Sequence, residues 1–240
     1  MLQVGTILHG TYKIESYLAS GGFGNTYLAK NIEFDETYAI KEFFVKGVCQ
    51  RDGNSTTISV SNAENTNSFE QQREKFKKEA RRLRSLSNPH IVKVYDLFEE
   101  SGTAYYVMDY VDGENLSARL KRTNAPLAES EVRNYLNQIL DGLEAIHNEG
   151  MFHLDIKPAN IMVDSHNVVK LIDFGASKQQ STVGGATMST GISYTNGYAP
   201  SEQMAQSYDK FGPWTDFYAL GATTVSYTHL RAHETEADLV

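Results

Sequence analysis

The 240-residue chain contains only one cysteine, one tryptophan and five prolines. With Cys49 alone, no disulfide can form within the chain, and the polar residues around it predict an exposed loop. No apolar run approaches the length of a membrane-spanning helix, and residues 1–10 show no signal-peptide pattern. The net charge of −8 argues against nonspecific binding to nucleic acid. We therefore expect a cytoplasmic protein, and the 40% hydrophobic content is enough for a substantial core.

The most informative segment is the run His-Leu-Asp-Ile-Lys-Pro-Ala-Asn that ends at Asn160, followed by Asp173-Phe-Gly. Phosphoryl transfer needs a carboxylate that positions the acceptor hydroxyl, oxygen ligands for Mg²⁺ and positive charge around the phosphates. Asp155 supplies the carboxylate and Lys157 the positive charge. Asn160 and Asp173 supply hard oxygen ligands. The spacing predicts a phosphoryl-transfer site with catalytic and metal-binding residues in these roles.

At these motifs the chain resembles the protein kinase family, specifically the bacterial eukaryotic-like Ser/Thr kinases, from about Tyr12 to about Thr224. The resemblance implies an α+β, two-lobed fold, with a small β-rich N-lobe that carries helix C and a mainly helical C-lobe. It implies transfer of the ATP γ-phosphoryl group to Ser/Thr hydroxyls of protein substrates, with ATP and Mg²⁺ as cofactors. Lys157 favours serine and threonine, because tyrosine-directed relatives typically lack a lysine at that position.

A glycine-rich segment lies between two strand-like runs, 12–19 and 25–33. Glycine lets the backbone approach phosphates closely, although a glycine-rich hairpin alone is as often only a turn. By resemblance the segment is the loop that covers ATP, but the family has glycine where this chain has Ala19 and valine at position 26. The predicted nucleotide-binding residues here are Leu18, Gly21, Gly22, Phe23, Gly24 and Thr26.

The run 37–44 predicts a strand whose period of two places Ala39 and Lys41 on one face. Ala39 leaves room for an adenine ring, and Lys41 can reach the α- and β-phosphates. A helix is predicted over 69–86, with Glu79 at the edge of its apolar stripe. The resemblance makes this helix C and pairs Glu79 with Lys41. We therefore add both residues to the predicted catalytic set.

Two further strands, joined by a turn at Ser101-Gly102, end in a segment that resembles the hinge of the family. The resemblance makes Met108 the gatekeeper and assigns adenine recognition to the backbone of Asp109 to Val111. Met162, in a short hairpin after the catalytic segment, would pack under the adenine. The gatekeeper and hinge assignments depend on the resemblance, since backbone recognition leaves no side-chain signature.

The helix predicted over 131–150 is the clearest in the chain and should deliver the catalytic loop. Downstream, the resemblance identifies Thr195 as the threonine that touches the catalytic aspartate and lysine, and Glu202 as the glutamate of the Ala-Pro-Glu motif. Leu154 departs from the family, which often has arginine there to receive a phosphate. The phosphate would come from the activation segment, which we place at Ala176 to Gly197. Its candidate phosphorylation sites are Ser181, Thr182, Thr187, Ser189, Thr190 and Ser193.

The predicted organisation is an N-lobe over 1–111 and a C-lobe over 112–225 that ends before the lobe is complete. Residues 226–240 lack the apolar face expected of the central helix of the C-lobe and are expected to be a foreign tail. The stretch 47–67 is rich in Asn, Ser and Thr and predicts a tolerated surface loop. A mobile insert that influences Glu79 is the alternative.

Two other functions stay open at this point. One is a pseudokinase scaffold that binds nucleotide without catalysis. Leu154, Ala19 and Ser201, which stands in the proline position of the Ala-Pro-Glu motif, slightly favour it. The other is a small-molecule phosphotransferase, which shares a His-x-Asp and Asn arrangement but is disfavoured by Lys157-Pro158. Retention of the complete set of predicted catalytic and metal-binding residues favours the protein kinase.

Overall fold

The computed structural model describes residues 1–21, 24–53, 55–60, 63–174, 178–179 and 194–229. By its internal contacts the chain divides into two compact units. The first comprises residues 1–87 and 92–110, and the second comprises residues 88–91 and 111–240. The division falls between Tyr110 and Val111, one residue before the predicted boundary. In the described part of the chain, no helix is both long and apolar enough to cross a membrane.

The first unit is built on a six-stranded antiparallel sheet in the order β1-β2-β3-β4-β8-β7. Alternation along β4 sorts its side chains as the period of two predicts: Ile40 and Tyr38 join the apolar cluster on one face, and Lys41 lies on the other with Tyr106. The strands are β1 (Ile7–Leu8), β2 (Tyr12–Gly21), β3 (Gly24–Asn31), β4 (Thr37–Phe43), β7 (Val94–Glu100) and β8 (Thr103–Asp109).

Helix α1 (Ala63–Ser85) packs against β7 and β8, and the ring of Phe76 contacts Phe43 of β4 and Tyr106 of β8. It begins six residues before the predicted start at Phe69. Phe69, at the predicted start, is buried with its ring centre 5.2 Å from that of Phe43, so tertiary packing supports the helix already in its second turn.

The prediction of a surface loop over residues 47–67 is wrong. The described residues of this stretch include a hairpin of β5 (Cys49–Arg51) and β6 (Ile58–Val60) and the beginning of α1. Cys49 is accordingly buried rather than exposed in a loop, and burial raises the pKa of its thiol. The Ile58 amide donates to the Ser101 carbonyl at 2.8 Å, so the hairpin is tied to the β7–β8 turn. The polar composition favoured a loop because most of the described polar side chains here are exposed, and only Cys49 and Ile58 among the described apolar ones are buried.

The second unit contains α2 (Leu116–Thr123), α3 (Glu129–Asn148), α4 (Ser201–Met204) and α5 (Pro213–Thr228), with 3₁₀ turns at Pro158–Asn160 and Tyr208–Lys210. Its strands are β9 (Gly113–Asn115), β10 (Met151–Phe152), β11 (Ile161–Asp164), β12 (Val169–Leu171) and β13 (Lys178–Gln179). β12, β11 and β9 form one sheet, and β10 pairs with β13.

The apolar face of α3 does not include Leu140, which is 42% exposed. The helix ends as expected before Gly150, whose φ of 66° is a left-handed conformation that glycine adopts without strain. α5 runs through the start predicted for the foreign tail, and Tyr227 in its last turn is fully buried. Residues 230–240 lie outside the described part, and the foreign origin of the tail stays a prediction.

Candidate active site

Two side chains of the loop between β10 and β11 form a triangle with Thr195, which precedes α4. The Thr195 hydroxyl donates to Asp155 Oδ1 at 2.8 Å and accepts from Lys157 Nζ at 2.9 Å. Lys157 Nζ also lies 2.8 Å from Asp155 Oδ2. Both charged side chains are only partly exposed, at 17% for Asp155 and 25% for Lys157. A half-buried carboxylate held by a cation and a hydroxyl is pre-oriented. The contacts predicted for Thr195 are confirmed.

Asn160 ties the carboxylate to the following strand. Its side-chain amide donates to Asp155 Oδ2 at 2.9 Å and to the Asp155 carbonyl at 2.8 Å. The Asn160 carbonyl accepts from the Ile172 amide at 3.1 Å, so the β11–β12 pairing sets Asn160 beside the residue that precedes Asp173. Asp173 itself has a φ of 61°, a conformation that aspartate tolerates better than most side chains. The two predicted metal ligands therefore flank the same hairpin.

His153 fixes the loop from inside the core of the second unit. It is fully buried, and burial lowers the pKa of His153 even though Asp216, Asp155 and Asp173 act in the opposite direction. A neutral ring explains its two contacts: Nε2 lies 3.1 Å from the Ile172 carbonyl, and the Asp155 amide lies 3.3 Å from Nδ1. The ring also packs on Phe174, with centroids 4.4 Å apart.

Asp216 of α5 braces the same loop from its other side. Its carboxylate accepts from the His153 amide at 2.9 Å and from the Leu154 amide at 2.8 Å. His147 Nε2 lies 2.8 Å from the carboxylate, a contact that sequence reasoning missed. Because Asp216 is fully buried, these partners satisfy a charge that would otherwise be costly. The loop is thus held by packing and hydrogen bonds of the second unit.

Within the first unit, Lys41 and Glu79 form the predicted pair, with Nζ and Oε1 3.9 Å apart and both residues 8% exposed. Tyr106 of β8 adds to the pair. Its hydroxyl donates to Glu79 Oε1 at 3.3 Å, and its ring centre lies 5.7 Å from Lys41 Nζ. Sequence reasoning missed Tyr106, because its strand is buried throughout and offers no sign of which hydroxyl meets the helix. Glu74, another carboxylate of α1, is 48% exposed and pairs instead with Lys77.

The glycine-rich hairpin is described on both sides of its tip, and Gly22 and Phe23 lie outside the described residues. Gly21 and Gly24 are paired across the hairpin. A Cβ on Gly24 would lie 2.3 Å from the Glu42 carbonyl, so only glycine fits there. Thr26 lies opposite Lys41 on the neighbouring strand. Leu18, on the same hairpin, is 42% exposed.

The residues predicted to surround adenine are distributed over both units. Ala39, 4% exposed, lies opposite Met108 in the β4–β8 pairing. The amide of Asp109 donates to the Lys93 carbonyl at 3.0 Å, so it is used within the first unit. Val111 belongs to the second unit, as does Met162, which pairs with Lys170 in the β11–β12 hairpin.

The end of the predicted activation segment is well fixed. Glu202 accepts from the Thr215 hydroxyl at 3.1 Å. Leu154, which replaces the frequent arginine of the family, is buried in an apolar cluster with Phe152 and Phe211. The predicted phosphorylation sites lie outside the described residues; they are Ser181, Thr182, Thr187, Ser189, Thr190 and Ser193.

Comparison with known proteins identifies the class to which this fold and these residues belong. Residues 12–234 match the family described as "Protein kinase domain". The solved structure named "PpkA-294 apo form" superimposes with a TM-score of 0.80 at 30% identity, covering 95% of this chain and 78% of that chain. The chain belongs to the protein kinase family.

Curated relatives include both bacterial and plant kinases. Serine/threonine-protein kinase F of Synechocystis is 34% identical over 97% of this chain and 46% of its own length. Serine/threonine-protein kinase PrkC of Bacillus subtilis is 32% identical over 91% and 30%. Mitogen-activated protein kinase kinase kinase 2 of Arabidopsis thaliana is 33% identical over 87% and 29%. The chain therefore spans less than half the length of these relatives.

Proposed function

We propose that this protein transfers the γ-phosphoryl group of ATP to serine or threonine hydroxyls of protein substrates. The observation that carries the proposal is the triangle of Asp155, Lys157 and Thr195. Asp155 has one carboxylate oxygen near each of the other two side chains, and such a held carboxylate can orient an acceptor hydroxyl and receive its proton. Lys157 provides positive charge beside it for the transferring phosphoryl group.

The metal-binding role of Asn160 and Asp173 is part of this proposal. Within the described ranges, no group of three or more His, Cys, Asp or Glu side chains is placed to hold a metal ion. Mg²⁺ does not require such a group, since it commonly takes one or two protein oxygens and completes its octahedron with phosphates and water. The amide oxygen of Asn160 and the carboxylate of Asp173 fit that demand. Bound Mg²⁺ would neutralise phosphate charge during transfer.

The nucleotide-binding roles rest on the first unit and on the residues that follow it. Lys41, held by Glu79, would bind the α- and β-phosphates, and the backbone around Gly21 and Gly24 would approach the phosphates closely. Leu18, Gly22, Phe23, Thr26, Ala39, Met108, Asp109, Val111 and Met162 would line the rest of the nucleotide site. We also propose a cytoplasmic location, where ATP is abundant.

A radiolabelled ATP assay with casein and a panel of aminoglycosides as acceptors tests the function. We expect label on casein and none on the aminoglycosides. Asp155→Asn should lower transfer by about 100- to 10,000-fold and leave ATP binding intact, because the carboxylate acts on the acceptor hydroxyl. Asp209→Asn, at an exposed aspartate of the same unit, is the matched control and should match the parent. Equal turnover in Asp155→Asn and the parent would contradict the catalytic role.

The same assay separates the alternatives. A pseudokinase scaffold would bind ATP and label nothing, and a small-molecule phosphotransferase would label an aminoglycoside. The names of the curated relatives describe serine/threonine-protein kinases, which supports the protein acceptor for this chain.

A further inference from the structure

The backbone at Leu154, directly before the proposed catalytic carboxylate, is in an unfavourable conformation. Its φ is 62°, in the left-handed region where a non-glycine residue is uncommon. Asparagine and aspartate enter this region with the help of local side-chain hydrogen bonds, which leucine cannot make. Such a conformation persists only when the surrounding structure holds it in place. The contacts around Leu154 therefore decide where Asp155 points.

Both peptide groups that flank the Leu154 Cα are held by buried side chains. On the amino side, the Leu154 amide donates to Asp216 Oδ1 at 2.8 Å. On the carboxyl side, the Leu154 carbonyl accepts from Gln203 Nε2 at 2.6 Å. Gln203 is 1% exposed, so water does not compete for this bond. The carbonyl belongs to the same peptide plane as the Asp155 amide, and Gln203 therefore fixes the plane from which the Asp155 side chain starts.

The two holding residues are themselves linked through the second unit. Asp216 lies one residue after Thr215 in α5, and Gln203 lies one residue after Glu202 in α4. Because the Thr215 hydroxyl donates to Glu202 Oε1 at 3.1 Å, the two helices are tied to each other as well as to the loop. α4 follows the predicted activation segment, so Gln203 connects that part of the chain to the catalytic loop.

Glutamine suits this position chemically. A neutral amide can donate to the buried carbonyl without bringing a charge into a site that is closed to water. A lysine or arginine would place an extra cation close to Asp155. The side chain of Leu154 is apolar and packs with Phe152 and Phe211. Only the backbone carbonyl of Leu154 can therefore accept the hydrogen bond from Gln203.

We propose that Gln203 is a positioning residue for phosphoryl transfer, which holds the left-handed turn at Leu154 and thereby sets the orientation of Asp155. The proposal rests on the proposed kinase function and assigns to that same site a residue on the far side of the activation segment. Gln203 does not touch the reacting atoms. Its effect should therefore fall on the rate of the chemical step and not on ATP binding.

The test compares Gln203→Met, which keeps the shape and removes the donor, with Gln206→Met, the same change at an exposed glutamine three residues on. Kinetics are normalised to the folded, ATP-binding fraction. We expect Gln203→Met to lower kcat by about 10- to 100-fold, the size of effect that misplacement of a catalytic group produces, with KM for ATP within about twofold of the parent. Gln206→Met should match the parent. A kcat for Gln203→Met within about threefold of the parent would overturn the proposal.

Two further measurements keep the result decisive. If Gln203→Met does not fold, Gln203→Asn carries the same test, because it keeps the amide but is one methylene too short to reach the carbonyl. Amide hydrogen exchange then tests the positioning role of Gln203 separately from the proposed kinase function. If the parent transfers no phosphoryl group, the proposed function fails, but faster exchange at Asp155 in Gln203→Met than in Gln206→Met still supports the positioning role. Equal exchange rates would overturn it.

Discussion

Loss of the guanidinium of Arg51 should destabilise the first unit far more than loss of a surface arginine. Arg51 lies in β5, and its Nη2 pairs with Glu42 Oε1, the two side chains being only 3% and 0% exposed. Three other groups donate to the same carboxylate, each at 3.0 Å: the side-chain amide of Asn25 and the hydroxyls of Tyr27 and Tyr105. Glu42 is therefore the centre of a buried network that joins the hairpin to the sheet.

The magnitude follows from what Arg51→Met leaves behind. Removing one partner of a buried ion pair typically costs about 3–5 kcal/mol, because the other charge stays buried without compensation. Here two effects reduce that cost. The three remaining donors still stabilise the Glu42 carboxylate. In addition, Arg51 Nη1 has no hydrogen-bond partner among the described residues, so removing the guanidinium also removes the cost of burying that nitrogen. We therefore expect Arg51→Met to lower the free energy of unfolding by about 3 kcal/mol, the lower end of that range. This is a large fraction of the roughly 5–15 kcal/mol by which a typical domain is stable.

Urea unfolding, followed by circular dichroism, measures this difference. Arg133→Met is the matched control, because Arg133 pairs with Glu129 at a site where the two side chains are 75% and 78% exposed. An exposed pair contributes about 0–1 kcal/mol, so the control should lie close to the parent. A cost below about 1 kcal/mol for Arg51→Met, at an unchanged denaturant slope, would refute the reasoning.

A double-mutant cycle with Glu42→Gln tests the pairing itself. Glu42→Gln alone leaves the guanidinium buried without its counter-charge, whereas the double variant removes both charges and keeps an acceptor for the three neutral donors. The double variant should therefore cost less than the sum of the single variants by about 1–3 kcal/mol. Simple additivity would mean that the short contact between Arg51 and Glu42 contributes no coupling.

Three further predictions concern the proposed site and its core. Lys41→Met should lower kcat/KM by orders of magnitude and Glu79→Gln by less, with the double variant losing less than the sum; additive losses would show that Glu79 is not the partner. Asp173→Ala should weaken ATP binding only when Mg²⁺ is present, as measured by calorimetry, and an unchanged magnesium dependence would count against its metal role. Burial lowers the pKa of His153, so below about pH 6.5 the unfolded chain binds a proton that the folded chain does not. The contribution of His153 to the free energy of unfolding should therefore be constant above about pH 6.5. Below that pH it should decrease by at most about 1.4 kcal/mol per pH unit. His153→Gln should flatten this slope between pH 6.5 and 5 and the exposed His166→Gln should not; an unchanged slope in His153→Gln would exclude His153 as its source.

The catalytic loop could be predicted from the sequence because its chemistry is local. Asp155, Lys157 and Asn160 lie within six positions, and a loop of that length has few ways to present an acid, a cation and an amide together. Thr195 is remote, and the resemblance to the kinase family supplied its contact. The faces of β4 also followed from the sequence, since the period of two is a property of the extended backbone itself.

The Glu42 network could not be predicted in the same way. Its members come from four strands, and nothing in the sequence shows which tyrosine hydroxyls will meet one carboxylate. The hairpin left no clear signal in the sequence. Its strands are only three residues long, and six residues separate Arg51 from Ile58, so no two-residue turn motif marks it. A two-stranded hairpin with so little apolar surface is stable only when neighbouring elements supply partners, and those partners are remote in sequence.

The structure explains why leucine, and not the arginine frequent in the family, occupies position 154. From the sequence, leucine at this position means only that a phosphate cannot be bound there. In the structure its side chain is 2% exposed among Phe152 and Phe211, with Tyr208 packed against them. An arginine in this cluster would be a buried charge without a counter-ion, which costs several kcal/mol. Leu154 therefore contacts its surroundings in two ways: its side chain packs in the apolar cluster, and its backbone carbonyl accepts from Gln203 of α4. Neither contact involves a positive charge that a phosphate group would have to neutralise.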